Sequence, residues 1–215
     1  MERVICLGIG YLLGNFQTAY IYGRMHGVDI RQMGSGNAGT TNTLRVFGAK
    51  AGLIVFVGDV LKCAIAVVAA RLLFGGSRPD ILYLLMLYGA AGAILGHNFP
   101  FYLGFRGGKG IAATAGLIAA FHPAFIPMGI VLFFSVFVTT HYVSLGSLLI
   151  YAGFMVQLVV MGQMGVFGMD QAALLELYAI GGFLTVMAYV KHRANIGRLL
   201  KGEERKTYLF KKNQV

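Results

Sequence analysis

Ile111-Ala112-Ala113-Thr114-Ala115-Gly116-Leu117-Ile118-Ala119-Ala120-Phe121-His122-Pro123-Ala124-Phe125-Ile126-Pro127-Met128-Gly129-Ile130, which stays apolar to Thr140, is 30 residues long over 111–140. A single helix crossing a bilayer needs only about 20 residues. Pro123 cannot continue a helix without losing a backbone hydrogen bond. The stretch therefore divides into two spans, a short one over 111–121 and a second over 125–141, with a tight turn at His122 and Pro123. One long kinked helix is the competing reading. The division decides the fold, because it makes the total seven spans instead of six.

The other apolar runs lie near 4–23, 51–72, 81–99, 148–163 and 172–190. With 57% hydrophobic and 12% charged residues over 215 positions, the chain lies outside the range of soluble domains, which carry about 25% charge. The runs are continuous, which disfavours a β-barrel. The expected fold is all-α, an integral membrane bundle of seven transmembrane helices in one domain over 1–215, with a short basic tail over 205–215. The run Val4–Gly23 reads as a retained span: its charged flank is only Glu2 and Arg3, and no small-residue cleavage pattern follows. Cys6 and Cys63 lie inside apolar runs and read as helix-packing residues.

Charge sets the orientation. Arg24, Arg31, Arg45 and Lys50 fall in one loop, Arg106 and Lys109 in a second, and Lys191, Arg193, Arg198, Lys201, Arg205, Lys206, Lys211 and Lys212 in the tail. Seven spans place all three segments on one face, with Arg71 and Arg78 the main exceptions elsewhere. The positive-inside rule makes that face cytosolic and puts the N-terminus outside. Six spans would separate the tail from both loops. The net charge of +10 thus follows from topology and anionic headgroups, and nucleic acid is not an expected partner.

Two glycine-rich segments on that face could hold anions. In Gly34-Ser35-Gly36-Asn37-Ala38-Gly39-Thr40-Thr41-Asn42, three glycines let the backbone turn and approach a ligand. Ser35, Asn37 and Asn42 add neutral donors, and Arg45 adds a planar cation suited to phosphate. A flexible polar connection would have much the same composition. In Gly107-Gly108-Lys109-Gly110 a lysine sits on pliable backbone at the start of the next helix, where amides and dipole favour an anion. The segment lacks the nucleotide P-loop spacing and has Gly110 where the magnesium-binding hydroxyl belongs, so ATP is disfavoured. Before it, Gly96-His97-Asn98 puts polar groups at the end of the third span. Asp59 and Lys62, three residues apart, share a face of the second span and read as a structural ion pair. His192, Asn195 and Leu199 would line one face of a helix leaving the membrane. No Cys/His cluster suggests a metal site.

Taken together, these segments resemble the bacterial acyl-phosphate:glycerol-3-phosphate acyltransferase family. The resemblance is carried by Gly34–Asn42 through Arg45, by Gly96-His97-Asn98-Phe99-Pro100 through Gly110, and by His192-Arg193-Ala194-Asn195-Ile196-Gly197-Arg198-Leu199-Leu200. These stand in the family's order from about residue 8 to Glu204. Thr40, Arg106 and Cys63 depart from the family's usual residues. The resemblance implies transfer of a fatty acyl group from acyl phosphate to the 1-hydroxyl of sn-glycerol 3-phosphate, giving lysophosphatidic acid and phosphate at the cytosolic side of the bacterial inner membrane. It implies no cofactor, and functional coupling to an acyl-ACP:phosphate acyltransferase that supplies the long-chain acyl phosphate.

By residue type, Lys109 and Arg45 would neutralise phosphate charge. Ser35, Gly36, Asn37, Asn42 and the amides of Gly107, Gly108 and Gly110 would complete the cradle with His97. His192 and Asn195 would orient glycerol 3-phosphate, and Ser144 would approach the acyl phosphate headgroup. The hydroxyl proton could pass to His192 or to the substrate's own phosphate. The tail after Glu204 is expected to do no more than touch membrane lipid. A small organophosphate transporter is the alternative from another class, although no internal repeat supports it.

Overall fold

The computed structural model describes residues 1–209, so Lys211 and Lys212 of the expected tail lie outside the described residues. Ten α-helices account for the described fold: α1 Glu2–Gly14, α2 Thr18–Met25, α3 Thr40–Phe47, α4 Ala49–Phe74, α5 Leu82–Asn98, α6 Ile111–Phe121, α7 Phe125–Thr140, α8 Val143–Gln163, α9 Gln171–Lys191 and α10 Arg193–Leu200. Each of the seven apolar runs is helical. Five units are long and apolar enough to cross a membrane: Glu2–Met25, α4, Pro79–Leu103, α8 and α9. At 11 and 16 residues, α6 and α7 are shorter than the roughly 30 Å hydrocarbon core requires.

The chain turns back where Pro123 forbids a helix. His122 is extended, with φ −156° and ψ 136°. A Cβ built on Gly129 would lie 3.3 Å from Ile118 Cγ2, whereas 11 residues of continuous helix would hold those positions about 16 Å apart.

The first run differs from the expected continuous span. Its helix is interrupted at Asn15-Phe16-Gln17, and buried polar groups satisfy the freed backbone. Gln17 Nε2 donates to the carbonyls of Gly14, Gly96 and His97 at 3.1, 3.1 and 3.2 Å. Asn15 Oδ1 accepts from the Phe101 amide at 3.2 Å, and Lys62 Nζ donates to Phe16 O at 2.8 Å. Local hydropathy does not reveal the break, because partners from α4 and α5 stabilise it.

Glycines let α1 lie against α5. A Cβ on Gly10 would come within 2.0 Å of Gly89 O, and one on Gly92 within 2.1 Å of Leu7 O. Between lipid-embedded helices, such backbone approach replaces the hydrophobic effect as the source of packing energy. At the N-terminal ends of these two helices, carboxylates tie α1 to α9 and to the segment before α5. Arg3 pairs with Glu176 at 2.7 Å, and Arg78 pairs with Glu2 at 2.6 Å and with Asp80 at 3.1 Å. Arg3 and Arg78, the basic residues at that end of these helices, are thus neutralised. The cationic loops gather at the opposite end.

Candidate active site

A cavity of about 890 Å³ opens at that cationic end. Its floor is the C-terminal end of α5, whose last carbonyls have no partner within their own helix. The second glycine loop supplies the partners. Gly108 N–H donates to His97 O at 3.1 Å and Gly107 N–H to Asn98 O at 3.2 Å; Lys191 Nζ also reaches Asn98 O, at 3.3 Å. Neither Gly107 nor Gly108 lines the cavity, whereas Lys109 and Gly110 do. The expected phosphate-cradling amides of Gly107 and Gly108 are therefore corrected: they cap α5. The space itself requires glycine there, since a Cβ on Gly108 would sit 2.1 Å from His97 Nε2 and 2.8 Å from Ala38 O.

Gly110 has φ +85° and begins α6. Gly110, Ile111 and Ala112 line the cavity, so the N-terminal turn of that helix faces it and favours an anion. Lys109 is directed across to Asn195, donating to its Oδ1. Asn195 Nδ2 in turn donates to Glu204 Oε1 at 2.7 Å. Ser144 Oγ donates to the same oxygen at 3.0 Å, and Arg198 Nε meets Glu204 Oε2 at 2.8 Å. Ser144, which falls between the expected spans 125–141 and 148–163, stands in the first turn of α8. Burial, with the nearby Arg198, Arg45 and Lys191 charges added, pushes the Lys109 ammonium down to about 8 despite the opposing pull of Glu204.

His192 is buried at the junction of α9 and α10. Its Nδ1 lies 2.8 Å from Ala188 O. A carbonyl can only accept, so Nδ1 carries the hydrogen and Nε2 keeps a lone pair. Burial first, then the Lys109 charge, lowers His192 to about 4. The ring is neutral at physiological pH.

The first glycine loop forms the opposite wall. Ser35, Gly36 and Asn37 all line the cavity. Gly34 and Gly36 adopt φ +56° and +72°, a region nearly closed to other residues. Asn42 lines the cavity too, but its amide is committed to the loop. Its Oδ1 accepts from Ser35 N–H at 2.8 Å, and its Nδ2 donates to Met33 O at 2.9 Å and Ile30 O at 3.2 Å. The structure thus corrects its role from donor to clasp. Arg45, on α3, donates from Nη2 to Thr207 Oγ1 at 2.8 Å.

Behind the loops, Asp59 and Lys62 form a buried pair at 2.8 Å, and Lys62 Nζ lies 2.8 Å from His97 Nδ1. An ammonium only donates, so Nδ1 accepts and the His97 proton sits on Nε2, beside Gly108. Asp59 and His97 both reach the cavity wall.

Sequence reasoning missed Glu204, Lys191 and the strap after Gly202. Glu204, Arg205, Thr207 and Leu209 line the cavity, so the segment expected merely to touch lipid lies over the site. A signal for Glu204 was present, because Glu203-Glu204 is the only acidic pair in an otherwise basic tail. The other cavity wall is apolar: Leu53 and Phe56 from α4, and Phe133, Phe134 and Phe137 from α7. Leu53, Phe56 and Phe134 are 62%, 41% and 50% exposed, so this wall continues onto the lipid-facing surface.

Comparison with known proteins agrees with this geometry. The family model described as Glycerol-3-phosphate acyltransferase matches residues 4–202. Glycerol-3-phosphate acyltransferase of Clostridioides difficile (strain 630) is 42% identical, covering 94% of each chain, and that of Halalkalibacterium halodurans is 41% identical, covering 96% of each. Crystal structures of PlsY (YgiH), an integral membrane glycerol 3-phosphate acyltransferase, superpose in the glycerol 3-phosphate form with a TM-score of 0.84, covering 98% of this chain and 100% of that one. The form with lysophosphatidic acid gives 0.80, covering 96% and 95%, and both are 29% identical. The transporter alternative falls away, and the chain belongs to the glycerol-3-phosphate acyltransferase family.

Proposed function

We propose that this acyltransferase moves a fatty acyl group from acyl phosphate to the 1-hydroxyl of sn-glycerol 3-phosphate, at the cytosolic face of a bacterial inner membrane. One observation carries the reading: a single cavity joins a cluster of cations and neutral donors to an apolar wall open toward lipid. Two phosphate groups and one alkyl chain have that combined chemistry.

In this reading Lys109, Arg45 and the α6 N-terminus neutralise phosphate charge, while Ser35, Gly36 and Asn37 complete the cradle. Asn195, aligned by Lys109 and Glu204, orients glycerol 3-phosphate, and Ser144 meets the acyl phosphate headgroup. His192 Nε2 accepts the hydrogen bond of the attacking hydroxyl. With a pKa of about 4, it is a weaker base than a phosphate dianion, whose pKa is about 6. The hydroxyl oxygen forms the ester bond, the acyl–oxygen bond to phosphate breaks, and the hydroxyl proton ends on the released phosphate. Positioning and charge stabilisation supply the catalysis. The acyl chain runs along Phe56, Phe133 and Phe134 into the bilayer. An acyl-ACP:phosphate acyltransferase supplying the acyl phosphate is the matching upstream reaction.

The test is purified protein given palmitoyl phosphate and radiolabelled glycerol 3-phosphate without added metal. Labelled lysophosphatidic acid is the expected product; equal turnover with acyl-CoA would remove the donor assignment.

The topology belongs to the same proposal: seven crossings, N-terminus outside, C-terminus cytosolic. It is supported by the reversal at His122 and by the gathering of cationic loops at one end. Single cysteines at Ser35, Arg106 and Arg193, in a chain lacking Cys6 and Cys63, are expected to react with an impermeant maleimide only from the cytosolic side. Reaction of any one from outside contradicts the shared face.

A further inference from the structure

The family match ends at residue 202, yet the chain continues across the cavity. Thr207 is buried, and its N–H donates to His141 O at 2.9 Å. The Tyr208 ring lies 4.7 Å from the His141 ring. The strap thus runs from the end of α10 to the turn between α7 and α8, crossing the mouth of the site.

Its contact with Arg45 is specific. Nη2 of Arg45 donates to Thr207 Oγ1 at 2.8 Å and to Arg205 O at 3.3 Å. A guanidinium grips phosphate bidentately through either of two edges, Nε with Nη2 or Nη1 with Nη2. Nη2 belongs to both edges and has only two hydrogens, so the strap occupies the corner that every bidentate grip needs. The Nε–H beside it is buried with no hydrogen-bond partner among the described residues. The Nε/Nη2 edge is therefore half satisfied, by a neutral hydroxyl where a second acceptor atom would complete the fork. A phosphate dianion offers two acceptor oxygens at that spacing, so both partners of each bond would carry charge and the fork would be complete.

We propose that the strap of residues 205–209 is a latch on Arg45, in which the Thr207 hydroxyl and Arg205 carbonyl hold the guanidinium until a substrate phosphate displaces them. Opening would free both Nη2 hydrogens, complete the Nε/Nη2 fork and move Leu209 off the cavity wall. This inference rests on the reading that Arg45 binds phosphate. It assigns the strap a gating role that the residues within the family match do not carry.

Three substitutions and one exchange measurement test it. Thr207→Val removes the hydroxyl at nearly constant volume, and Thr207→Ser retains it. Because one hydrogen bond from a charged donor is lost, KM should fall in Thr207→Val by roughly ten- to a hundredfold with kcat unchanged, while Thr207→Ser behaves as wild type. KM is measured separately for glycerol 3-phosphate and for acyl phosphate, and the substrate whose KM falls is the one Arg45 grips. In the unaltered protein, inorganic phosphate should speed amide hydrogen exchange at Thr207, and this response should vanish in Arg45→Met. A rise in KM for Thr207→Val, or phosphate that slows or leaves unchanged the Thr207 exchange, would mean the strap is a fixed wall and the latch is wrong. Undiminished turnover in Arg45→Met would instead remove Arg45 as a phosphate ligand. Lost turnover in Arg45→Met, with both KM values unmoved in Thr207→Val, removes the latch alone.

Discussion

Lys109→Met is expected to lower kcat/KM by about one to two powers of ten, because a charge-assisted contact contributes about 1.5–3 kcal/mol. Lys109 lines the cavity at the start of α6 and is aimed at Asn195. Removing its ammonium would delete the proposed phosphate contact and also release the Asn195 amide, whose Oδ1 it holds. Lys109→Arg should recover only part, since the planar group does not fit beside Gly108 and Gly110 as a compact ammonium does. Lys201→Met, on the exposed turn after α10, is the charge control and should leave the rate unchanged.

The pH profile of kcat/KM provides a second readout, since it reports the free enzyme. As pH rises through about 8, Lys109 loses its proton and activity should fall; Lys109→Arg should remove that limb. As pH falls through about 6 the accepting phosphate gains a proton and activity should fall; through about 4 His192 gains one too, loses its Nε2 lone pair, and activity should fall further. Wild-type turnover by a folded Lys109→Met protein at low glycerol 3-phosphate would reduce this lysine to a topology signal.

Gly108→Ala should cost at least about tenfold in kcat/KM, although glycine 108 touches no substrate in the proposed site. The added methyl has no space: it would meet His97 Nε2 at 2.1 Å and Ala38 O at 2.8 Å. Overpacking of this kind costs about 1–3 kcal/mol. Relief requires the loop to lift from the end of α5, which moves Lys109, the next residue, and a displacement of about 1 Å at a positioning group can cost about a hundredfold. Gly197→Ala is the control, because a Cβ there meets nothing within 4 Å. Initial rates on matched preparations, with detergent-solution thermal unfolding to verify folding, decide the matter. Equal rates for Gly108→Ala and wild type would show that the loop tolerates displacement.

Much of the fold was legible because hydropathy and charge act locally. Each apolar run became helical, the first in two pieces. Pro123 marked the reversal, since a missing N–H cannot be hidden from its own helix. The basic segments marked the end of the bundle that holds the cavity. The first glycine loop was legible as a candidate site but not distinguishable from a flexible polar connection; the fold supplied its place on the cavity wall beside Arg45.

Which of those groups face the cavity was decided only by tertiary packing. Gly107, Gly108 and Asn42 carry the right donors for phosphate, but the structure gives those donors to backbone carbonyls of α5 and of the first loop. The break at Asn15–Gln17 is stable only because carbonyls of α5 and the Lys62 ammonium come within reach. The strap over Arg45 had no local signature at all. Sequence determines what each residue can donate, accept or bury. Since a buried polar group must find a partner wherever the fold supplies one, only the assembled helices decide which donors are already taken and which remain for a substrate.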